Sequence, residues 1–202
     1  MNIKNNTANI VSVSRIFVAF TGIGLLFIST TWAYILAVIL TAIAFAMDGV
    51  DGYIARKYNQ VSEWGSVLDI LGDRIVEASY WVVFSVLGWL PVIFPLICIT
   101  RAFTTDGIRS VALSKGMTAF GEKSMQTTEW GKFICGSKFM RISYAVAKVS
   151  AFILLIIANI PNLNYTLADN INVIAVILSW VAIIFCVVRA IPVIAESGKL
   201  FK

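Results

Sequence analysis

Six apolar stretches, separated by short polar segments, follow one another along the chain. They cover residues 10–30, 32–52, 64–89, 92–113, 141–160 and 171–195. Each is close to the roughly 20 residues that an α-helix needs to cross a bilayer. The pattern predicts an all-α integral membrane protein with six transmembrane helices, and we expect residues 1–202 to form a single membrane domain.

The composition supports this interpretation. The chain has 202 residues and is 59% hydrophobic, with a mean hydropathy of +0.86. The first apolar stretch follows Lys4, as in a signal peptide, but it lacks a small-x-small cleavage site and another stretch follows at once. We therefore expect it to remain as a transmembrane helix.

The net charge of +5 reflects the distribution of cations between the two sides of the membrane. Lysines and arginines belong to the termini, to residues 53–63 and 114–140, or to neighbouring helix ends. The linkers on the opposite side of the membrane carry one charged residue, Asp169. The positive-inside rule then places both termini in the cytoplasm, in a multi-pass protein of the cell membrane. No single basic face is present, so nucleic acid is not an expected partner.

The histidine and cysteine content limits the kinds of catalytic and metal site that the chain can form. Histidine is absent, which excludes a phosphohistidine, a Ser-His-Asp triad and His-ligated zinc, and leaves carboxylates as the general bases. Cys98, Cys135 and Cys186 are far apart in sequence, so we expect them to fill the core rather than to form disulfides or a metal cluster.

Four aspartates stand out in this apolar sequence. Asp48 and Asp51 are three residues apart, and Asp69 and Asp73 are four apart, so each pair shares one face of a helix. A carboxylate in a lipid-facing helix costs roughly 2.5–3.5 kcal/mol, and neighbouring like charges repel. Divalent cations would remove both penalties, and Mg²⁺ often shares carboxylates with substrate phosphates. The stretch therefore predicts a metal site, with its active face towards the cytoplasm, for a phosphorylated substrate.

The fixed positions of this stretch form a longer motif. Asp48-x-x-Asp51-Gly52-x-x-Ala55-Arg56, eight further residues and then Gly65-x-x-x-Asp69-x-x-x-Asp73 resemble the complete signature of the CDP-alcohol phosphatidyltransferases. Within that family, the chain looks most like the phosphatidylglycerophosphate synthases.

The resemblance implies an enzyme, a homodimer and two Mg²⁺ or Mn²⁺ ions. Asp48, Asp51, Asp69 and Asp73 are then expected to bind the metals, and Asp73 to be the catalytic base as well. The expected CDP-lipid-binding residues are Asn9, Ser12, Arg15, Gly52, Ala55, Arg56, Ser62 and Gly65. Without the resemblance, Asn9, Ser12 and Arg15 also fit an interfacial anchor.

The predicted third helix carries two further charged residues. Arg74 and Glu77 lie three residues apart, and we predict a neutral intrahelical pair that supports Asp73.

The fourth stretch carries a polar stripe. Arg101, Thr105 and Arg109 are four residues apart, with Asp106 beside them. One interpretation pairs Asp106 with Arg109 and lets Arg101 reach the interface. The other places Arg101 in a cavity, because it lies about two turns inside the span. The run resembles the helix of the synthases that binds a phosphorylated acceptor.

Residues 114–140 are too polar for a span and rich in glycine, which predicts a cytoplasmic loop or short interfacial helices. Gly131-Lys132 resembles part of a Gly-Lys-x-Lys-Thr run of the synthases, although Ile134 and Cys135 replace its second Lys-Thr. The predicted acceptor-binding residues are Arg101, Asp106, Arg109, Lys132, Lys138 and Arg141.

The expected reaction moves a phosphatidyl group from CDP-diacylglycerol to sn-glycerol 3-phosphate. Several cations near the acids suit a phosphate-bearing acceptor. Inositol phosphate, inositol and serine remain alternatives. A cation transporter lined by carboxylates is an alternative of another class, although no inverted repeat is visible. A purely structural membrane protein would leave the four acids unexplained.

Overall fold

The computed structural model describes residues 7–57, 63–117 and 126–200, and it describes side chains for residues 10–48, 65, 67–117 and 126–198. The predicted residue Ser62 lies outside the described residues. These parts of the chain form helices joined by short turns. The α-helices are α1 (Thr7–Leu25), α2 (Thr31–Lys57), α3 (Glu63–Val86), α4 (Ile93–Ser114), α5 (Glu129–Gly136), α6 (Lys138–Ala158) and α7 (Tyr165–Glu196).

Every predicted apolar stretch lies largely within one of the long helices, which confirms the all-α prediction. Some boundaries differ from the prediction. Helix α7 begins at Tyr165 instead of 171, because the Asn164 side chain caps its first turn by accepting from the backbone N–H groups of Thr166 and Leu167 at 3.0 and 3.4 Å. Helices α1 and α2 are separated at Ser29, whose φ of 54° is left-handed and cannot continue a helix.

Four segments are long and apolar enough to cross a membrane by length and composition. They are Ile10–Ile28, Thr31–Asp48, Lys138–Ala158 and Tyr165–Glu196. Helices α3 and α4 have 24 and 22 residues and are also long enough. They fall outside this group because they carry the charged residues of the candidate site.

Aromatic side chains hold the uncharged half of α3 in the middle of the bundle. Tyr80, Trp81 and Phe84 are at most 1% exposed. The Phe152 ring on α6 lies 4.7 Å from Trp81 and 5.1 Å from Tyr80 between ring centroids. On the α2 side, the hydroxyl groups of Tyr80 and Thr41 are 2.8 Å apart. Because one half of α3 is fixed in this way, the position of its acidic half is fixed as well.

The predicted polar region between α4 and α6 contains the short helix α5. Thr128 caps its N-terminus by accepting from the backbone N–H of Gly131 at 3.3 Å. Helix α6 then begins at Lys138, capped by Ser137. A short helix in this region was one of the two predicted forms.

Candidate active site

Three of the four predicted aspartates meet at the ends of α2 and α3. Carboxylate oxygens of Asp48, Asp69 and Asp73 all lie within 4.8 Å of one another. Their side chains are 42%, 49% and 46% exposed, so the acid cluster can be reached from outside the bundle. Asp51 follows Asp48 by one turn of α2, but its side chain lies outside the described residues.

The Arg15 guanidinium lies among these carboxylates. It pairs with Asp48 and lies 3.0 Å from Asp73 Oδ1 and 3.8 Å from Asp69 Oδ1. It also donates to the Asp69 carbonyl oxygen at 3.3 Å. The side chain is only 2% exposed. A buried cation here offsets part of the repulsion between the acids.

Gly72 explains how α3 can approach Arg15 so closely. A Cβ atom at this position would lie 2.8 Å from Arg15 Nη2. The absent side chain therefore leaves the space that the guanidinium occupies.

The acid cluster fits a hard divalent cation. Its ligand atoms are carboxylate oxygens from two helices, which suit Mg²⁺ or Mn²⁺. A second group of possible ligands, Glu77, Cys98 and Cys186, is buried in the bundle, but the ammonium group of Lys148 already neutralises its carboxylate.

The predicted CDP-lipid residues surround the acid cluster only in part. Ser12 is 5% exposed and lies one turn before Arg15 on α1, and Arg15 itself contacts the carboxylates. Gly65 lies in the first turns of α3. The side chains of Asn9, Ala55 and Arg56 and the surroundings of Gly52 lie outside the described residues.

The predicted Arg74–Glu77 pair is wrong. Arg74 instead binds Asp106 on α4 through two atoms, with Nε at 2.9 Å from Oδ2 and Nη2 at 3.2 Å from Oδ1. Two parallel bonds to a carboxylate suit the planar guanidinium better than a contact along its own helix. Arg109 reaches Asp106 only at 4.0 Å. Asp106, predicted as acceptor-binding, thus joins α4 to the helix that carries Asp69 and Asp73.

Glu77 belongs to a buried polar group between α3 and α6. It accepts from the Tyr144 hydroxyl and pairs with Lys148, whose Nζ lies 3.1 Å from Oε2. Glu77 is 2% exposed and Lys148 is 9% exposed. An apolar interior tolerates each of these charged groups because the opposite charge lies beside it.

Three arginines form a group on α4 and α7, and one of them, Arg109, lies near Asp106. Arg101 and Arg109 from α4 and Arg189 from α7 are within electrostatic range of one another. Arg101 is 8% exposed, and the Nε atoms of Arg101 and Arg189 are buried without a hydrogen-bond partner. In the described parts of the chain, no carboxylate forms an ion pair with Arg101 or Arg189. We call these residues the arginine cluster.

The burial of Arg101 favours the cavity interpretation over the interfacial one. Neighbouring guanidinium groups in an apolar bundle repel one another and attract anions, phosphate in particular. The thiol of Cys135 on α5 borders the cluster. Its burial raises its pKa, while the neighbouring Arg109, Arg189 and Arg101 act in the opposite direction.

The other predicted acceptor residues are more peripheral. Lys132 on α5 and Lys138 and Arg141 at the start of α6 all have exposed side chains. They contribute positive charge at this end of the bundle.

Arg189 is not among the residues that the sequence analysis assigns to a site. A single arginine within an otherwise apolar transmembrane helix is itself a signal of a site. Its partners on α4 could not be identified from the sequence, because nothing there fixes how α7 is rotated.

Comparisons with known proteins show similarity to phosphatidyltransferases over most of the chain. The family model described as CDP-alcohol phosphatidyltransferase matches residues 5–192. A CDP-diacylglycerol--glycerol-3-phosphate 3-phosphatidyltransferase of Bacillus subtilis is 28% identical over 172 residues, which are 84% of this chain and 77% of that protein. A protein of the same name from Rickettsia prowazekii is 31% identical over 109 residues, 54% of this chain and 60% of its own length.

A shorter similarity concerns a different acceptor. CDP-diacylglycerol--inositol 3-phosphatidyltransferase 1 of Arabidopsis thaliana is 45% identical over 47 residues, 23% of this chain and 21% of that protein. The bacterial similarities extend well beyond a segment of this length.

Proposed function

Because this chain belongs to the CDP-alcohol phosphatidyltransferase family, we propose that it transfers a phosphatidyl group from CDP-diacylglycerol to sn-glycerol 3-phosphate. The products are phosphatidylglycerophosphate and CMP. The observation that carries the proposal is the juxtaposition of two charged sites, the acid cluster on α2 and α3 and the arginine cluster on α4 and α7. The names of the bacterial relatives support the same acceptor.

The acid cluster supplies the reaction centre. Asp48, Asp51, Asp69 and Asp73 would hold two Mg²⁺ or Mn²⁺ ions. When bound, such ions neutralise the diphosphate and lower the pKa of the attacking hydroxyl. Asp73 accepts the proton of that hydroxyl. The acceptor oxygen forms a bond to the phosphorus of the phosphatidyl group as the bond from that phosphorus to CMP breaks.

The CDP end of the lipid lies beside the acid cluster in this proposal. Asn9, Ser12 and Arg15 on α1 contact it, and so do the residues of the motif and Ser62. The small residues let the nucleotide approach the backbone, and Arg56 binds the diphosphate through its planar fork. The small motif residues that border the nucleotide in this way are Gly52, Ala55 and Gly65.

The arginine cluster binds the phosphate of the acceptor. Arg101 and Arg109 supply two guanidinium groups from α4, and Arg189 supplies a third from α7. Lys132, Lys138 and Arg141 attract the same anion from the exposed side. Because Arg74 holds Asp106 between the two sites, the acceptor phosphate and the acids remain at a fixed separation.

We propose that the chain is one membrane domain with six spans, both termini in the cytoplasm, and that it works as a homodimer. The argument for α3 and α4 as spans is the pairing of their charges with one another and with α6. A helix whose charges face the bundle can cross a membrane despite its lower hydropathy.

An acceptor assay tests this function. CMP release from CDP-diacylglycerol in detergent is measured with glycerol 3-phosphate, inositol phosphate, inositol and serine offered separately. We expect turnover with glycerol 3-phosphate, its loss after chelation by EDTA, and its return with Mg²⁺ or Mn²⁺. Faster turnover with inositol would replace glycerol 3-phosphate by the acceptor named for the Arabidopsis relative. Faster turnover with inositol phosphate or serine would make that compound the acceptor instead. Cation flux in liposomes without CMP release would indicate a transporter.

A further inference from the structure

A buried carboxylate, that of Glu196, attaches the start of helix α5 to the end of α7. Glu196 is 5% exposed. Its Oε2 accepts from the backbone N–H of Thr127 at 2.5 Å and from the Thr127 hydroxyl at 3.1 Å. Its Oε1 accepts from the Thr128 hydroxyl at 2.5 Å. Thr128 is also the N-cap of α5, so Glu196 binds the residues that begin this helix.

Gly131 makes this contact possible. A Cβ atom there would lie 2.4 Å from Glu196 Oε1, 2.9 Å from Thr128 Oγ1 and 3.4 Å from Pro192 Cβ. Any side chain at position 131 would push the Glu196 carboxylate away from the threonines. The glycine therefore lets α5 lie directly against the last turn of α7.

The other end of α5 reaches the arginine cluster. The Cys135 thiol donates to the Arg189 carbonyl oxygen at 3.5 Å, and Cys135 packs with Ala112 of α4 and Val193 of α7. Thr128 thus lies at Glu196 and Cys135 at Arg189, seven residues apart on each helix. Helix α5 runs antiparallel to the last two turns of α7 and forms one wall of the cluster.

We propose that Glu196 is a positioning residue for the acceptor. By holding the N-terminus of α5 against α7, it fixes the wall against which Arg109 and Arg189 are arranged. Phosphate binding by several guanidinium groups depends on their spacing, so release of α5 weakens acceptor binding more than it changes the chemistry at the acid cluster. This inference rests on the proposed function for the identity of the acceptor.

The test compares Glu196→Ala, Glu196→Gln and Gly131→Ala with Glu129→Gln as the matched control. Glu129 is an exposed carboxylate in the first turn of the same helix. We expect Glu196→Ala to raise KM for glycerol 3-phosphate about tenfold, with kcat and KM for CDP-diacylglycerol within about twofold of wild type. Glu196→Gln keeps one acceptor oxygen and is expected to have a smaller effect. The control variant should match wild type.

Gly131→Ala provides an independent way to break the same contact. It should raise KM for the acceptor, and adding it to Glu196→Ala should have no further effect because the contact is already lost. Additive effects would overturn the proposal. An equal rise of both KM values, or a fall in kcat alone, would also overturn it, since these results indicate a general structural role.

Amide hydrogen exchange separates this proposal from the proposed function. Residues 127–136 should exchange faster in Glu196→Ala than in wild type, whatever the acceptor is. If wild type does not use glycerol 3-phosphate but this exchange still increases, the function fails and the attachment of α5 stands. Unchanged exchange in this segment would disprove the attachment itself.

Discussion

Asp73 is the member of the acid cluster that is closest in sequence to the buried Glu77 of α3. It pairs with Arg15 at 3.0 Å on one side, and Glu77 follows it by one turn on the other. Its side chain is nevertheless 46% exposed, so it can meet a substrate. This exposure and these neighbours are compatible with the two roles proposed for Asp73, metal ligand and general base.

Replacement of Asp73 tests this role. We expect Asp73→Asn to lower CMP release by about 10²–10⁴-fold, because the amide neither binds a cation as a carboxylate does nor accepts the proton. Mn²⁺ binding, measured by electron paramagnetic resonance, should weaken in parallel. Asp169→Asn is the matched control, since this exposed aspartate lies at the start of α7. Undiminished turnover of the Asp73 variant would remove it from the mechanism.

A second prediction at the scale of a single residue concerns Arg189. Arg189→Gln should raise KM for glycerol 3-phosphate by about 10–100-fold, as expected for loss of a charged hydrogen bond to phosphate. The KM for CDP-diacylglycerol should not change. Lys115→Gln removes the same charge from an exposed position after α4 and controls for general attraction of anions. Equal effects of the two variants would contradict a specific role.

At the scale of elements, the bond between Arg74 and Asp106 joins α3 to α4. The two side chains are 23% and 31% exposed, so we expect a coupling free energy of about 1 kcal/mol, as for well-oriented pairs near a surface. Unfolding of Arg74→Gln, Asp106→Asn and the double variant in detergent measures it. The combination of Arg74→Gln with Glu129→Gln should be additive. Additivity of Arg74→Gln with Asp106→Asn would show that the two residues act separately.

The pair of Glu77 and Lys148 joins α3 to α6 deeper in the bundle. Glu77→Gln leaves the Lys148 ammonium without a counter-charge and should destabilise the protein by roughly 3–5 kcal/mol. Adding Lys148→Met should restore most of this loss. Thermal unfolding in detergent measures both changes, with the exposed Glu129→Gln as the control. A double variant as unstable as Glu77→Gln would show that the charge of Lys148 is not the cause.

The corrected pairing of Arg74 with Glu77 has a physical reason. The sequence predicts contacts between residues three or four positions apart, such as Arg74 and Glu77. In the structure both residues find better partners on other helices, because a low-polarity interior strengthens each fully formed charged pair. Local spacing could not reveal Asp106 or Lys148 as these partners.

At the scale of the whole molecule, the charge distribution predicts the orientation in the membrane. The three native cysteines are at most 4% exposed, so an added surface cysteine would be the main reactive thiol. Thr166→Cys, before the last span, should react with an impermeant maleimide in intact cells. Ser114→Cys should react only after permeabilisation. The reverse labelling would place the acid cluster on the outer side.

The sequence by itself determined the helices, the acid cluster and the family. The long apolar stretches can satisfy their backbone in lipid only as helices. The aspartate spacing places each pair of carboxylates on one helix face, and α1, which packs against both α2 and α3, then brings Asp48, Asp69 and Asp73 together. These features depend on local periodicity and composition.

Only the tertiary structure decided which charges meet across helices. Arg15 lies among the aspartates, Arg189 joins Arg101 and Arg109, and Glu196 holds α5. Each of these contacts depends on how a helix is rotated about its axis and which neighbour it packs against. That rotation follows from the complementarity of many side chains in the assembled bundle, which no local pattern of residues encodes.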